Sequence, residues 1–505
     1  MRSPLIELDG LPIEPWLNLA SASETEPERV NELIHWNATR RSPLQNGFSR
    51  RIDRLHAIEL RREDLTYQAR RYAEGVAQLG QRGDAIWQAL VSVRGAHALR
   101  LRLTTDLPVD AAVAVRSLPD GVWERLEFAG NSSWTPSLAG ETVALRVVLP
   151  ERSARAAIQI DDVVELFELE TDGTARGASQ AAGCTLDLSC ASSDDALLLA
   201  SRAVGRMVFS SGASSYVCSG GLIGDAEGSD IPYFLTAHHC ISSEPEAHSL
   251  EVTWDYRTTS CGGFSVNPSL LPHSVGATVL TTRSESDYTL LRLTSIPSGR
   301  SFLGWTTASP GASVLRRISH PAGGPQSYSE TLAATTVGTI CSDAPRSWYL
   351  YEDPWLAGIA GGSSGSPVWI DAGLVVGQLS GTCGGADCNP STDTLDGRFA
   401  RGFSFMQPWL DPAAGPAAPI QLRSTFVGRK KVVLTWTDTA SDETRFDLWA
   451  STRDRSPVLV GTAGPNSSQL EVRGLKRATF YTFTLQACRD TGCSVPAALS
   501  LRTKR

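Results

Sequence analysis

Three short stretches of this chain hold the residue types best suited to bond-breaking chemistry. Residues 233–240 read YFLTAHHC, placing His238 and His239 directly before Cys240 at the end of an apolar run. Residues 284–293, SESDYTLLRL, set Asp287 ahead of an apolar run that reads as buried. Residues 361–367, GGSSGSP, surround Ser364 with small residues. A serine hydroxyl is a poor nucleophile until a neighbouring imidazole can take its proton. A buried carboxylate then fixes the imidazole tautomer and stabilises its charged form. Small residues let the backbone turn tightly and aim N–H groups at a developing oxyanion. The expected roles are His239 as base, Asp287 as its carboxylate, Ser364 as nucleophile, and the Gly362 and Ser364 N–H groups as oxyanion donors.

Singly, each stretch has a plainer reading: a strand ending in a disulfide, a turn aspartate, a Ser/Gly loop. HHC is a weak metal motif, because structural zinc sites need wider, paired ligand spacings. No metal and no cofactor is expected. Together, the order His, Asp, Ser within one β-rich, cysteine-bearing region is that of the chymotrypsin-type triad.

The elements that must position these residues fall into three compositional regimes. Residues 1–176 hold no cysteine and are rich in arginine. Their first half reads helical, above all REDLTYQARRYAEGVAQL at 62–79, and their second half alternates as strands at 86–103, 142–149 and 157–167. The small, polar stretch 170–183 reads as an exposed linker. Residues 177–411 are rich in Gly, Ser and Thr, with short β-branched runs that predict an all-β barrel or sandwich closed by a short helix at 405–412. A Pro/Ala/Gly linker at 412–419 leads to residues 420–505, where strand alternation continues throughout. Trp436 should face a core there, and Tyr481 begins a strand, where β-sandwiches place a tyrosine corner. Cys488 and Cys493 are close enough to staple one loop.

Bulk properties bound the function. The chain has 505 residues, 41% hydrophobic and 20% charged, with a formal charge of −8. That balance points away from nucleic acid and anionic membranes as main partners, and no apolar run reaches the length of a membrane span. Ten cysteines, all beyond residue 183, predict disulfides and an oxidising compartment. The start, MRSPLIELDG, shows no basic and apolar leader, so an export signal is expected to have been removed or to lie outside the assigned start.

At this point the sequence resembles a known family. CTLDLSC (184–190), YFLTAHHC, VTWDYRTTSC (252–261), SDYTLLRL, RISHPAGG (317–324), GGSSGSPVW, VVGQLSG (375–381) and WLDP appear in the order found in secreted bacterial lysyl endopeptidases, a branch of the chymotrypsin-fold serine peptidases. The resemblance covers nearly all of 184–411. It implies a mostly β protein whose double β-barrel protease domain follows a propeptide at 1–176, while 420–505 resembles a fibronectin type III sandwich. It assigns the base to His239 and leaves His238 a structural role. It also implies disulfides Cys218–Cys240, Cys190–Cys261, Cys184–Cys388 and Cys341–Cys383. An aspartate before Ser364, which mammalian trypsin-like zymogens use as a switch, is replaced by Ser363, so activation must come from propeptide removal.

Specificity is less firmly written. The family takes lysine through an aspartate before a YGR-like stretch; here the loop is CNPSTDTLDGRF (388–399), with Asp393 the nearest match and Asp396 a rival. Ser380 and Gly381, after GQL, are the other expected substrate contacts, Ser380 standing where the family has histidine. The family's tryptophan partner has no counterpart around 330–345. The only lysines are Lys430, Lys431, Lys476 and Lys504, so a strictly lysine-specific enzyme could not cut itself free at 170–183. Arg176–Gly177 lies in that linker, and a pocket carboxylate suits either basic side chain. The expected activity is secreted endopeptidase cleavage of proteins or peptides after arginine or lysine, by a monomer exported through the periplasm. The fibronectin-like unit would attach to a polymer or surface, or act as a spacer. The competing readings are a catalytically inactive, protease-like binding protein and a zinc hydrolase.

Overall fold

The structure is a computed structural model that describes all residues except 1–5, 9–10, 14, 40–42, 53–56, 119–120, 129, 168–184, 192–194, 264–266, 335–340, 342–343, 371–372, 384–392, 413–414, 453–454 and 490–491. The cut site at Arg176–Gly177 and the Cys184–Cys388 pair therefore lie outside the described residues. Strand makes up 51% and helix 13% of the chain, so sheets supply the layers and helices only cover them.

In the N-terminal region two sheets face each other. One is built on Ala85–Arg94 and Thr142–Leu149, the other on Ala98–Asp106 and Arg155–Leu166. Alternating side chains from both, including Trp87, Val143, Leu101 and Ile160, fill the core between them. The expected strands at 86–103, 142–149 and 157–167 are all present; Gly95, at φ +86°, turns the first so that Ala85–Arg94 lies in one sheet and Ala98–Asp106 in the facing one.

The expected helix at 62–79 is absent. Arg62–Asp64 is a single 3₁₀ turn, and Arg70–Tyr72 and Gly75–Leu79 form a β-hairpin turned at Ala73 and Glu74, whose φ angles are +45° and +60°. Hydrogen bonding of Gly75–Leu79 to Ala85–Arg94, and burial of Val76 and Ala77, outweigh the helical propensity of the stretch. The long helix of this region is Pro27–Thr39.

Composition separates the first two regimes, yet hydrogen bonding joins them. Leu44–Arg51 pairs on one side with Arg155–Leu166 and on the other with Ser214–Leu222, so one sheet continues from the N-terminal region into the central region. Arg100 is fully buried at this junction. It donates to the carbonyls of Val208 and Ser249 and lies 3.4 Å from the Glu251 carboxylate. Ser137 also donates to Glu251 through its N–H at 3.0 Å and its hydroxyl at 2.5 Å.

The central region contains two curved sheets. The first includes Val204–Ser211, Ser214–Leu222, Tyr233–Thr236, Ala277–Arg283 and Tyr288–Leu293. In the second, Ser327–Ala333, Val314–Ser319, Pro367–Trp369, Leu374–Thr382, Thr394–Arg398 and Tyr349–Leu356 pair in turn, and the last pairs back onto the first, closing a barrel. The closing helix runs Phe399–Leu410, starting six residues before the expected 405; its first turns pack Phe399 against Trp305. The C-terminal region is a sandwich of a three- and a five-stranded sheet with Trp436, Phe446 and Phe483 between them. Tyr481 accepts at its hydroxyl from the Lys476 N–H at 2.9 Å, the bond expected of a tyrosine corner. Disulfides Cys190–Cys261, Cys218–Cys240, Cys341–Cys383 and Cys488–Cys493 are formed as expected.

Candidate active site

His239 follows the buried strand Tyr233–Thr236, which pairs with Tyr288–Leu293, so the segments bearing His239 and Asp287 are neighbours by strand register. His239 Nδ1 lies 2.7 Å from Asp287 Oδ2, and the His239 backbone N–H donates to Oδ1 at 2.9 Å. The carboxylate is thus held by both the ring and the main chain of one residue. Asp287 itself sits at φ +50°, a conformation that costs a non-glycine residue energy and persists only where the surroundings impose it. Those surroundings are the His238 N–H donating to the Asp287 carbonyl at 3.1 Å and the Gln378 amide donating to the same carbonyl at 3.1 Å and to that of Ser286 at 2.9 Å. His238 turns away: its Nδ1 is 2.8 Å from Thr282 Oγ1, and burial pushes its pKa down.

Ser364 lies just before the strand Pro367–Trp369 of the second sheet but is anchored on the first sheet. Its carbonyl accepts from the Ser219 N–H at 2.8 Å, and the neighbouring Cys218 is bonded to Cys240, the residue after His239. Consecutive residues of one strand therefore tie down the serine turn and the histidine. Gly365 approaches so closely that a Cβ there would meet Thr236 Oγ1 at 2.2 Å and Ala237 N at 2.8 Å, with φ at +80°. In the HHC stretch, Cys240 closes a disulfide with Cys218 and His239 faces Asp287. Cys218, His239 and Cys240 are near enough to share a metal, but both sulfurs are spent on each other.

Peptide planarity fixes the directions of the two N–H groups expected as oxyanion donors. The Gly361 carbonyl accepts from the Ala322 N–H at 2.6 Å, which turns the Gly362 N–H to the opposite side of that trans peptide. The Ser363 carbonyl accepts from the Ser366 N–H at 3.1 Å and orients the Ser364 N–H in the same way. Gly362 is required: φ is +95°, and a Cβ would meet the His320 carbonyl at 2.8 Å. The RISHPAGG stretch thus forms the bed on which the glycine loop lies. His320 is fully buried there with its Nδ1 2.8 Å from the Gly324 carbonyl, and burial lowers its pKa to about 3.

The acidic residues expected to set specificity separate clearly. Asp396 is fully buried, with both oxygens bonded to the Arg317 guanidinium at 2.9 and 2.7 Å. Arg317 also contacts Glu352 at 3.2 Å; burial and then Asp396 push the Glu352 carboxyl well up, against Arg317. Complete burial and the paired bonds to Arg317 turn both oxygens of Asp396 into the protein interior. Asp393 is half-buried at the end of Thr394–Arg398, where its carbonyl accepts from the Cys383 N–H. Burial and the Asp353 carboxyl, which shares a hydrogen bond with it, push the Asp393 carboxyl up. Ser380 and Gly381 lie on Leu374–Thr382; Ser380 is hydrogen-bonded to Tyr349, whose phenol is pushed up to about 12 by burial and by Asp287.

Arg317, Glu352, Tyr349 and Gln378 were not singled out from sequence. Arg317 had a legible signal, since it shares the inward face of Val314–Ser319 with Leu315 and Ser319. The others depend on partners far away in the chain.

Residues 178–399 match the family described as "Lysyl endopeptidase, C-terminal domain". The chain is 30% identical over 320 residues to the "Lysyl endopeptidase" of Pseudomonas aeruginosa, covering 57% of this chain and 68% of that protein. It is 27% identical over 312 residues to "Secreted RxLR effector protein 73" of Plasmopara viticola, covering 55% and 73%. Among solved structures, FN3tt is similar with 18% identity and a TM-score of 0.16, over 18% of this chain and 96% of that one. Matches of this identity and extent to a peptidase and to its domain family show that the chain belongs to the lysyl endopeptidase family.

Proposed function

We propose that this protein is a secreted serine endopeptidase of the chymotrypsin double-barrel type, hydrolysing peptide bonds after basic residues through an acyl-enzyme. The observation that carries the reading is the pair of Asp287 contacts, one oxygen on His239 Nδ1 and the other on its backbone N–H. With Nδ1–H donating to Asp287, Nε2 keeps its lone pair and can accept the Ser364 proton as the hydroxyl attacks the scissile carbonyl. The resulting oxyanion would be met by the Gly362 and Ser364 N–H groups, and the protonated His239 would return its proton to the leaving amine. Water then repeats the sequence on the acyl-enzyme, releasing the new carboxylate and restoring Ser364.

Asp393 is proposed as the carboxylate that attracts the basic side chain, with Asp353 beside it; Asp396 is not assigned that role because it is fully buried with both oxygens hydrogen-bonded to the Arg317 guanidinium. The matched relative's name specifies lysine. For this chain arginine is proposed to serve at least as well, because all residues before 430 lack lysine and the linker carries Arg176. Residues 1–176 are proposed as a propeptide, and 420–505 as a fibronectin type III domain. Membrane insertion by helix is not part of the reading: among the described residues, no helix is long and apolar enough to cross a membrane.

The test is the N-terminus and mass of purified wild type beside Ser364→Ala, with reaction of each toward an organophosphonate serine probe. Wild type should label and begin at Gly177, while the variant should do neither. Labelling of both forms would remove Ser364 from the mechanism. Identical maturation of both would assign the cut to another protease.

A further inference from the structure

The strand Ala277–Arg283 and the strand Tyr288–Leu293 form a hairpin in which Arg283 pairs with Tyr288, and the turn between them ends in Asp287. The turn is not self-supporting: Ser284 and Glu285 are exposed, and Asp287 adopts a positive φ. Arg283, at its base, lies with its guanidinium 4.0 Å from the centre of the Phe405 ring and 4.1 Å from that of Trp449. The two rings meet edge to face at 6.0 Å. Phe405 comes from the closing helix, but Trp449 comes from Arg445–Thr452 in the C-terminal sandwich.

The sandwich is seated firmly enough to matter. Gly492, in the loop stapled by Cys488–Cys493, touches the same helix so closely that a Cβ would meet Gln407 Oε1 at 1.7 Å. Gly415, just past that helix, abuts the Cys493 carbonyl, where a Cβ would come within 2.4 Å. The tryptophan is thus presented to Arg283 by a docked body. On the far side of the hairpin base, Tyr288 is fully buried beneath the helix, its ring against Gly402.

We propose that the C-terminal sandwich positions the catalytic carboxylate: Trp449, closing with Phe405 on Arg283, holds the hairpin turn that carries Asp287. The inference rests on reading Asp287 as the triad carboxylate. A planar cation between two aromatic faces gains from both, and more so where water is excluded. The hairpin base is thereby held while the turn keeps the φ that aims Asp287 at His239. Trp449 and Arg283 are positioning residues, since neither touches substrate.

The experiment compares full-length wild type, Trp449→Ala, Trp449→Phe, Arg283→Leu, Phe480→Ala and Ser364→Ala on an arginyl and a lysyl p-nitroanilide, with thermal melts of each. Phe480 is an exposed ring elsewhere on the sandwich and serves as the control. Trp449→Ala and Arg283→Leu should lower kcat by about 10- to 100-fold, as small misplacements of a catalytic group do, with KM unchanged. Trp449→Phe should restore most of the loss, and Phe480→Ala should match wild type. Wild-type kcat in Trp449→Ala, or a loss confined to KM, would overturn the proposal. Should Trp449→Ala fail to fold, Arg283→Leu decides, with the same two outcomes. Activity surviving in Ser364→Ala would instead sink the triad reading, whereas an inactive Ser364→Ala beside unaffected Trp449 and Arg283 variants would sink the clamp alone.

Discussion

Replacing Asp287 by asparagine tests the candidate site at its most constrained point. In the structure Oδ1 accepts from the His239 backbone N–H at 2.9 Å and Oδ2 meets Nδ1 at 2.7 Å. An asparagine keeps the shape but has only one acceptor oxygen. The backbone N–H cannot accept, so the amide oxygen must stay on that side and the amide NH₂ must face Nδ1. His239 then has to accept at Nδ1 and carry its proton on Nε2, the nitrogen that should receive the Ser364 proton. The expected loss is about 10⁴-fold in kcat, the effect of imposing the wrong tautomer, equivalent to about 5.5 kcal/mol of transition-state stabilisation. KM on a peptide p-nitroanilide should change little, because no group that binds substrate is touched. Stopped assays at high enzyme concentration, with Ser364→Ala as background, would measure the residual rate. An Asp287→Asn enzyme within about tenfold of wild type would refute the tautomer argument, since a loss below about 1.4 kcal/mol leaves no room for it.

Gly362→Ala should cost about 10²–10³ in kcat through loss of an oxyanion donor, because a Cβ would strike the His320 carbonyl and the φ of +95° resists a side chain; phosphonate labelling rates would report it. Arg100→Ala leaves Glu251 buried without its cation and should destabilise the junction by about 3–5 kcal/mol, read as a lower denaturation midpoint and poorer recovery of folded chain; an unchanged midpoint would dismiss the junction as a stabilising contact. His320 has a folded pKa of about 3, below its ordinary 6.5, so its contribution is complete above pH 6.5 and is lost as pH falls and the unfolded chain takes up the proton. Between about pH 6 and pH 4, wild type should therefore lose about 1.4 kcal/mol per pH unit more than His320→Asn. Parallel stability curves for the two would remove His320 from the acid response.

How much was legible without coordinates depended on the range of the information. His239, Asp287, Ser364 and Gly362 stood out because their chemistry is written in residue type and immediate neighbours. The strands at 86–103, 142–149 and 157–167 were legible from two-residue alternation, a local property of the backbone. The stretch 62–79 misled because its helical propensity is also local, while the hydrogen-bond partners that made it a hairpin come from Ala85–Arg94.

The sequence by itself determined the β-rich class and the Cys488–Cys493 staple and pointed to peptidase chemistry, while its family resemblance implied Cys190–Cys261, Cys218–Cys240 and Cys341–Cys383, all of which the structure describes. Only tertiary structure decided which acids remain available and what supports the site. Asp396 was a rival to Asp393, the nearer match, until Arg317, 79 residues away, took both its oxygens. Composition separated the N-terminal region from the rest, yet Leu44–Arg51 joins their sheets and Arg100 buries its charge in the join. Trp449 is an ordinary strand residue in the sequence, and a clamp on Arg283 only once the sandwich is docked. The physical reason is common to all three. Neutralisation of a buried charge and packing of a ring depend on which distant segments meet, and no local pattern of residue types carries that information.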